Sequence, residues 1–311
     1  MGRSPRRPGA RDLHGVLLLD KPAGLSSNQA LQRVRRALNA RKAGHTGNLD
    51  VAATGLLPIC LGEATKFSGQ LLDADKVYRA RVQFGVTTRT GDAEGEVVEV
   101  RPVEALHAPR VLAEMARFIG PIEQVPPMYS ALKKDGRPLY ALARAGKVVP
   151  RAPRRVTIFR FELLSLNAND AEVEVACSKG TYIRTLAEDL GAALGCGAHL
   201  TALRRLASGP FLLEDAHTVE AIEAACLAGA SDAWVLPVDT AVSVLPAFEV
   251  SATEAAALRQ GRAVRPAEAS GQVARVGEWV RIYGPEASFL GLGECAAEGQ
   301  ILPRRIVNLL D

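Results

Sequence analysis

One carboxylate in this chain stands alone in a glycine-containing loop, where a carboxylate could do chemistry. Asp50 ends the segment Ala43-Gly44-His45-Thr46-Gly47-Asn48-Leu49-Asp50, and Thr54-Gly55 closes the loop before the apolar run Leu56–Cys60. Gly44 and Gly47 let the backbone bend tightly. Their spacing fits no dinucleotide fingerprint, and no Lys follows Gly55 as a phosphate loop requires. Two readings of Asp50 stay open on the residues alone: an ordinary turn or cap aspartate, and a lone nucleophile or base in a site entered by a large ligand. Two other stretches fit the second. In Cys177–Thr185 a glycine turn puts Arg184 at a helix start, where a guanidinium can hold a carboxylate by paired hydrogen bonds. Tyr78 falls on the apolar face of an alternating strand, where a ring either fills the core or is presented to a base.

These groups need elements to position them. Gly15–Leu19 reads as a buried strand, and Ser26-Ser27-Asn28 offers N-caps for a helix with Leu31, Val34 and Leu38 on one face. Lys76–Phe84 alternates, with Tyr78, Ala80, Val82 and Phe84 on one face. Helices are expected near Ala64–Leu72, over Val103–Ile119 and Thr181–Leu194, and within Glu214–Ala230; strands are expected at Arg155–Leu164 and Glu172–Cys177. Strands and helices interleave without a regular βα repeat, so the expected class is α+β. After the connector Val235–Pro246 come short strands and glycine turns, expected as a small β-rich domain. The expected division is 1–11 as a disordered basic arm, 12–245 as the main domain and 246–311 as the second.

Composition excludes several classes. The chain has 311 residues, 48% hydrophobic and 23% charged, which is globular. Its longest uncharged run, Leu190–Leu203, is too short and too glycine-rich to span a bilayer. Five cysteines with no close pair suggest neither a disulfide framework nor a zinc knuckle and fit a reducing cytoplasm. The four arginines of the first eleven residues account for the formal +4, and the remainder is neutral but segregated. Lys21–Leu49 has six Lys or Arg and no acid, Leu132–Arg160 has nine against Asp135 alone, and Leu206–Leu258 has eight acids and no Lys or Arg. Such separation can give one basic face for a polyanion such as nucleic acid; the alternative is a set of solvated faces.

Several motifs together resemble the bacterial tRNA pseudouridine-55 synthases of the TruB type. They are Gly15-Val-Leu-Leu-Leu-Asp-Lys-Pro22, the Ala43–Asp50 loop with Thr54–Pro58, Leu61–Phe67, Met128–Lys133, Cys177–Thr185, Gly195–His199 and Leu203-Arg-Arg-Leu206, with a weaker echo at Pro303–Val307. The resemblance implies isomerisation of uridine in the T-loop of tRNA, a catalytic domain around a mixed, largely antiparallel sheet, and a small PUA-like RNA-binding domain at 246–311. It implies Asp50 as the catalytic group, Tyr78 as the ring stacked on the target base, Arg184 as the partner of Asp50, Leu203 lining the pocket, and His45 contacting RNA where the base leaves its stack. Lys21 and Pro22 fall in a mainly structural motif. No cofactor, metal, guide RNA or membrane is implied, and a monomer is expected. Arg33, Arg36, Lys133, Arg154 and Arg155 are the candidates for gripping the RNA backbone. The family usually has Ala at Asn48 and Pro-Leu at Val51-Ala52, which leaves the rigidity of the loop as a question. The rival readings are a guide-dependent synthase and a non-catalytic RNA-binding or tRNA-folding module.

Overall fold

The computed structural model describes residues 9–104, 106–266 and 275–309. Its centre is a ten-stranded sheet. The long strands are β1 (Gly15–Lys21), β2 (Thr54–Leu61), β3 (Lys76–Phe84), β4 (Arg154–Leu166), β5 (Asp170–Cys177) and β6 (Ala198–Ser208). Across the sheet the order is His217–Thr218, β1, β2, β6, β3, β5, β4 and Gly120–Gln124. Ala43–His45 adds to β2 and Phe211–Leu212 to β6. Only β1 with His217–Thr218 and β2 with β6 pair in parallel. The sheet is therefore mixed and largely antiparallel, as expected.

The apolar run of β1 is continuous because both faces are covered. Leu17 and Leu19 pack under the helices α1 (Ser27–Ala37) and, further along the chain, Val219–Leu227, while Val16 and Leu18 face Phe67 and Leu71 on the other side. α1 begins at a capping box in which Ser26 and Gln29 satisfy each other's backbone N–H groups, so the cap is Ser26. The helices α2 (Ala108–Ala116) and α3 (Ile183–Ala193) close the other half of the sheet: Val111, Met115, Leu186 and Leu190 pack on Val82, Phe84, Val173 and Val175.

Two expected helices change their bounds, and one strand, β6, was not expected. The helix expected over Val103–Ile119 starts only at Ala108, since Pro109 is tolerated in a first turn and not in a helix interior. Within Glu214–Ala230 the helix is Val219–Leu227, capped by the Thr218 hydroxyl. β6 had no strand signature because two bulges, at Leu200/Ala202 and Arg205/Ala207, break its alternation.

Residues 1–8 of the expected arm lie outside the described residues. Residues 9–11 are held: Asn39 Nδ2 donates to the Gly9 carbonyl at 2.8 Å, and the Arg11 backbone N–H donates to the Asn39 carbonyl at 2.8 Å. Arg11 also pairs with Asp232.

The chain ends in a four-stranded sheet in chain order, Ala247–Glu249, Trp279–Tyr283, Phe289–Cys295 and Ile301–Ile306. It does not hang free. Leu292, Val307, Trp279 and Phe289 share a core with Phe67 and Leu71, and Glu63 accepts the Asn308 backbone N–H at 2.6 Å.

Gly55 is the tightest point of the central sheet. It lies at φ +102°, in register with Arg205, and a Cβ there would sit 2.3 Å from the Arg205 carbonyl oxygen. Gly55→Ala is expected to lower stability by on the order of 2–6 kcal/mol through positive-φ strain and overpacking. Urea unfolding against wild type measures this; an unchanged midpoint would contradict the tight crossing.

Candidate active site

The Asp50 loop is pinned from below. Ser27, in the first turn of α1, accepts the Leu49 N–H at 2.8 Å and donates its hydroxyl to the Leu49 carbonyl at 3.1 Å. Lys21 at the end of β1 is fully buried, and its ammonium donates to the carbonyls of Pro22, Leu25 and Val51 at 2.8, 2.6 and 3.4 Å. The Gly24 N–H also donates to the Val51 carbonyl, at 2.9 Å. Burial pushes the Lys21 ammonium down to about 8, with Asp50 opposing that shift and Arg205 adding to it. The loop on both sides of Asp50 is thus tied down by bonds to Leu49 and to the Val51 carbonyl without a proline at position 51.

Arg184 gathers the site. Its side chain is only 6% exposed, and its Nε lies 3.1 Å from Asp50 Oδ2. The remaining donors go elsewhere: Nη1 to the Thr90 carbonyl at 2.8 Å and within 3.4 Å of Asp92 Oδ2, and Nη2 to the Tyr129 carbonyl at 2.7 Å. The paired hydrogen bond to one carboxylate expected from the sequence is therefore replaced by a guanidinium shared between two carboxylates and two carbonyls. Asp92 is held in turn by the Glu94 N–H at 3.1 Å and by the Thr90 hydroxyl. It was not found from the sequence because nothing in Thr88–Gly95 separates it from a turn aspartate; the pairing of Leu200 beside it brings it to the site.

Asp50, Asp92, Arg184 and Leu203 line a crevice with Ala52, Ala53, Ala93 and Leu200–Ala202. Its 40 Å³ admits a few waters and nothing as large as a pyrimidine ring. Asp50 keeps 45% of its side-chain surface open at the mouth, with protein on its other sides. Loss of bulk water around it raises its carboxyl above the usual aspartate value; Arg184 pulls the other way, Asp92 adds to the rise and Lys21 opposes it.

Tyr78 and His45 are not among the crevice residues. Tyr78 is half-buried against the core beside Leu203, and burial raises its phenol, offset first by the charge of Arg205. His45 sits in the strand added to β2, with its Nδ1 buried and unpartnered. Burial, then Arg205, lowers its imidazole.

The basic runs part company. Arg33 does not present a free guanidinium: its Nε and Nη2 each bond Glu223 at 2.7 Å, with Glu220 at 3.4 Å, so the acidic helix Val219–Leu227 neutralises it. Arg41 pairs with Asp12. Arg36 is exposed. In the second run Lys133, Arg154 and Arg155 are exposed, and among the described residues no basic side chain from Lys133 to Arg155 has a carboxylate within 4.0 Å. This segment begins at the site, through the Arg184 bond to Tyr129 and the Tyr182 N–H bond to Gln124 Oε1 at 3.0 Å.

Residues 35–183 match the family described as TruB family pseudouridylate synthase (N terminal domain), 184–243 the tRNA pseudouridylate synthase B C-terminal domain, and 246–307 Pseudouridine synthase II TruB, C-terminal. The chain is 55% identical to tRNA pseudouridine synthase B of Thiobacillus denitrificans over 97% of its own length and 98% of that protein's. It is 54% identical to tRNA pseudouridine synthase B of Chromohalobacter salexigens, over 97% of each. Among solved structures it resembles a chain of a Cbf5-Nop10-Gar1 complex, with TM-score 0.74 and 27% identity, covering 95% of this chain and 84% of that one. The chain belongs to the TruB family of pseudouridylate synthases.

The raised Asp50 value carries a stability consequence. A carboxyl whose folded value lies above its unfolded one gives stability that is fully present below the unfolded value and lost as pH rises through the folded value, so ionised Asp50 is a cost at neutral pH. Asp50→Asn is expected to melt above wild type at pH 7, with the difference vanishing below about pH 4. A lower melting temperature at pH 7 would show that the Arg184 pair outweighs the loss of water.

Proposed function

We propose that this chain isomerises uridine 55 in the T-loop of tRNA to pseudouridine, without guide RNA, and that Asp50 is its reacting group. The observation that carries the reading is the Asp50–Arg184 pair at 3.1 Å at the mouth of a crevice, Arg184 also bonding the Tyr129 carbonyl just before the unpaired basic segment. The reaction breaks the N1–C1′ bond, turns the uracil and rejoins it through C5. No atom is gained from outside and no redox change occurs. It requires a nucleophile or base near the sugar, a pocket that retains free uracil, and exclusion of water, which would divert the reaction to base loss.

The residues divide these tasks. Arg184, itself immobilised by two carbonyls and Asp92, fixes the direction of the Asp50 carboxylate and favours its charged form. Leu203 offers an apolar wall, and Tyr78 a ring for the base to stack on once the walls part. Extruding the base from a folded loop costs a few kcal/mol, offset by stacking of about 1–3 kcal/mol and by phosphate contacts. His45, kept neutral by burial, meets the RNA at the gap the base leaves. Lys133, Arg154 and Arg155, with Arg36, grip phosphates and position the RNA without reading its sequence. Residues 12–245 serve as the catalytic domain and 246–311 as a PUA-like RNA-contacting domain, in a monomeric cytoplasmic enzyme. The shared core around Phe67 and Leu292 supports a fixed relation between the two, and the five free thiols support a reducing compartment.

The test is tritium release from a tRNA transcript carrying C5-tritiated uridine, with no other RNA added. Release by wild type and none by Asp50→Asn, with tRNA affinity retained, is the expected result. Dependence on an added guide RNA would favour a guided synthase, and binding without release a non-catalytic module. Affinity should fall steeply with salt, and Arg154→Ala with Arg155→Ala should reduce the log–log slope by about 2, one per lost phosphate contact. Arg33→Ala should leave the slope unchanged, because its charge is already spent on Glu223; a slope that falls with Arg33→Ala instead would reverse the assignment of the two runs.

A further inference from the structure

The Leu203-Arg204-Arg205 stretch places two arginines on opposite faces of β6, and only one has an evident use. Arg204 faces outward and pairs with Asp20 at 2.7 Å. Arg205 points into the protein and is 1% exposed. Its Nε donates to the Leu56 carbonyl at 2.6 Å, its Nη2 has no partner, and no carboxylate lies within 4.0 Å among the described residues. Two more buried cations share the neighbourhood. Lys21, fully buried, and Lys76, 7% exposed, bond only main-chain carbonyls. A buried charge without a counter-ion is costly, and removing a partner from such a charge is among the larger single destabilisations known. Among the described residues none of the three has a carboxylate within 4.0 Å, so the cluster holds a positive field that carboxylates such as Asp50 answer only from a distance.

The position of Arg205 says where that field is used. It is the register partner of Tyr78 across the β6–β3 pairing, and Leu203, which lines the Asp50 crevice, stands two residues along the same strand, about 7 Å away. The sheet is shaped to admit the guanidinium. Gly55 lets β2 pass against the Arg205 backbone, and a Cβ at Gly47 would lie 3.4 Å from Nη1. Arg205 is also the first charge to offset burial at the Tyr78 hydroxyl.

We infer that Arg205 is a positioning residue whose charge, relayed through the Tyr78 hydroxyl, stabilises the uracil anion released when the glycosidic bond breaks. The inference rests on the pseudouridylate synthase reading. When N1–C1′ breaks, the bonding pair leaves with uracil, and its charge spreads over N1, O2 and O4. In the relay, Arg205 Nη2, without a partner in this structure, turns to donate to the Tyr78 oxygen, and once the freed uracil leaves the face of the ring the Tyr78 hydroxyl donates to one of its carbonyl oxygens, so no proton changes owner. After the ring turns, C5 bonds C1′, C5 gives its proton to water and N1 takes one up, which balances atoms and charge. The arrangement holds a cation ready where negative charge appears and where no charge stood in the bound nucleotide.

The experiment is single-turnover tritium release and filter binding of the same C5-tritiated tRNA transcript by the full-length protein. Wild type is compared with Tyr78→Phe, Arg205→Gln, Arg205→Lys and the double variant Tyr78→Phe Arg205→Gln. Tyr78→Phe and Arg205→Gln are each expected to slow the step by roughly 10²-fold while tRNA affinity holds. The double variant should be no slower than the slower single one, since both cut the same relay. Arg205→Lys should recover part of the rate, having the charge without the fork. Multiplying losses in the double variant, or a loss confined to tRNA affinity, overturns the relay. Tyr78→Phe at the wild-type rate overturns it with no Arg205 variant needed, so misfolding at position 205 does not protect the idea. Wild type that releases no tritium overturns the underlying functional reading instead.

Discussion

The buried guanidinium of Arg184 is the interaction on which the rest of the site depends. It contacts Asp50 from the loop before β2, Asp92 and Thr90 from the turn after β3, and Tyr129 from the segment that precedes β4. Three chain segments far apart in sequence thus converge on one planar, permanently charged group at the start of α3. An arginine suits this position because its five donors lie in a fixed fork and it does not lose its proton. Its burial is tolerable only because nearly every donor direction is used, by two carboxylates and two carbonyls. The sheet exists, in this sense, to deliver carboxylates to a guanidinium.

Two electrostatic regimes meet at the crevice. On the Arg184 side, charges are paired and fixed. On the Arg205 side, three buried cations make their hydrogen bonds to main-chain carbonyls, with no carboxylate within 4.0 Å among the described residues. Asp50 stands between the two, partly open to solvent, its carboxyl raised by loss of water even with a guanidinium beside it. Such tension is common at functional sites and is maintained by the stable structure around it. Here that structure is the β1–β2–β6 crossing, closed so tightly at Gly55 that only glycine fits.

The outer surface follows a similar division. The acidic helix Val219–Leu227 neutralises Arg33 of α1, Asp12 pairs with Arg41 and Lys21 is buried, whereas Arg36 stays exposed. The run from Lys133 to Arg155 has no such partner among the described residues, and it follows Tyr129, whose carbonyl Arg184 bonds. Free positive charge is thereby concentrated on that segment, the part of the surface to which a polyanion would be drawn.

Much of this was legible in the residues. Asp50 in its glycine loop, Arg184 after its glycine turn, the alternation of β3 and the apolar run of β1 are local features. They depend on backbone freedom and on period-two or helical burial, and those leave marks on neighbouring positions. The resemblance carried by the ordered motifs supplied the roles. What the chain order could not disclose was pairing. Asp92 carries no local mark, β6 hides its strand behind two bulges, and the fates of Arg33 and Arg205 rest on partners about 190 and 149 residues away. Charge content is a property of sequence, whereas whether a given charge is neutralised, shared or left unanswered depends on distances of a few ångströms that only the folded sheet sets.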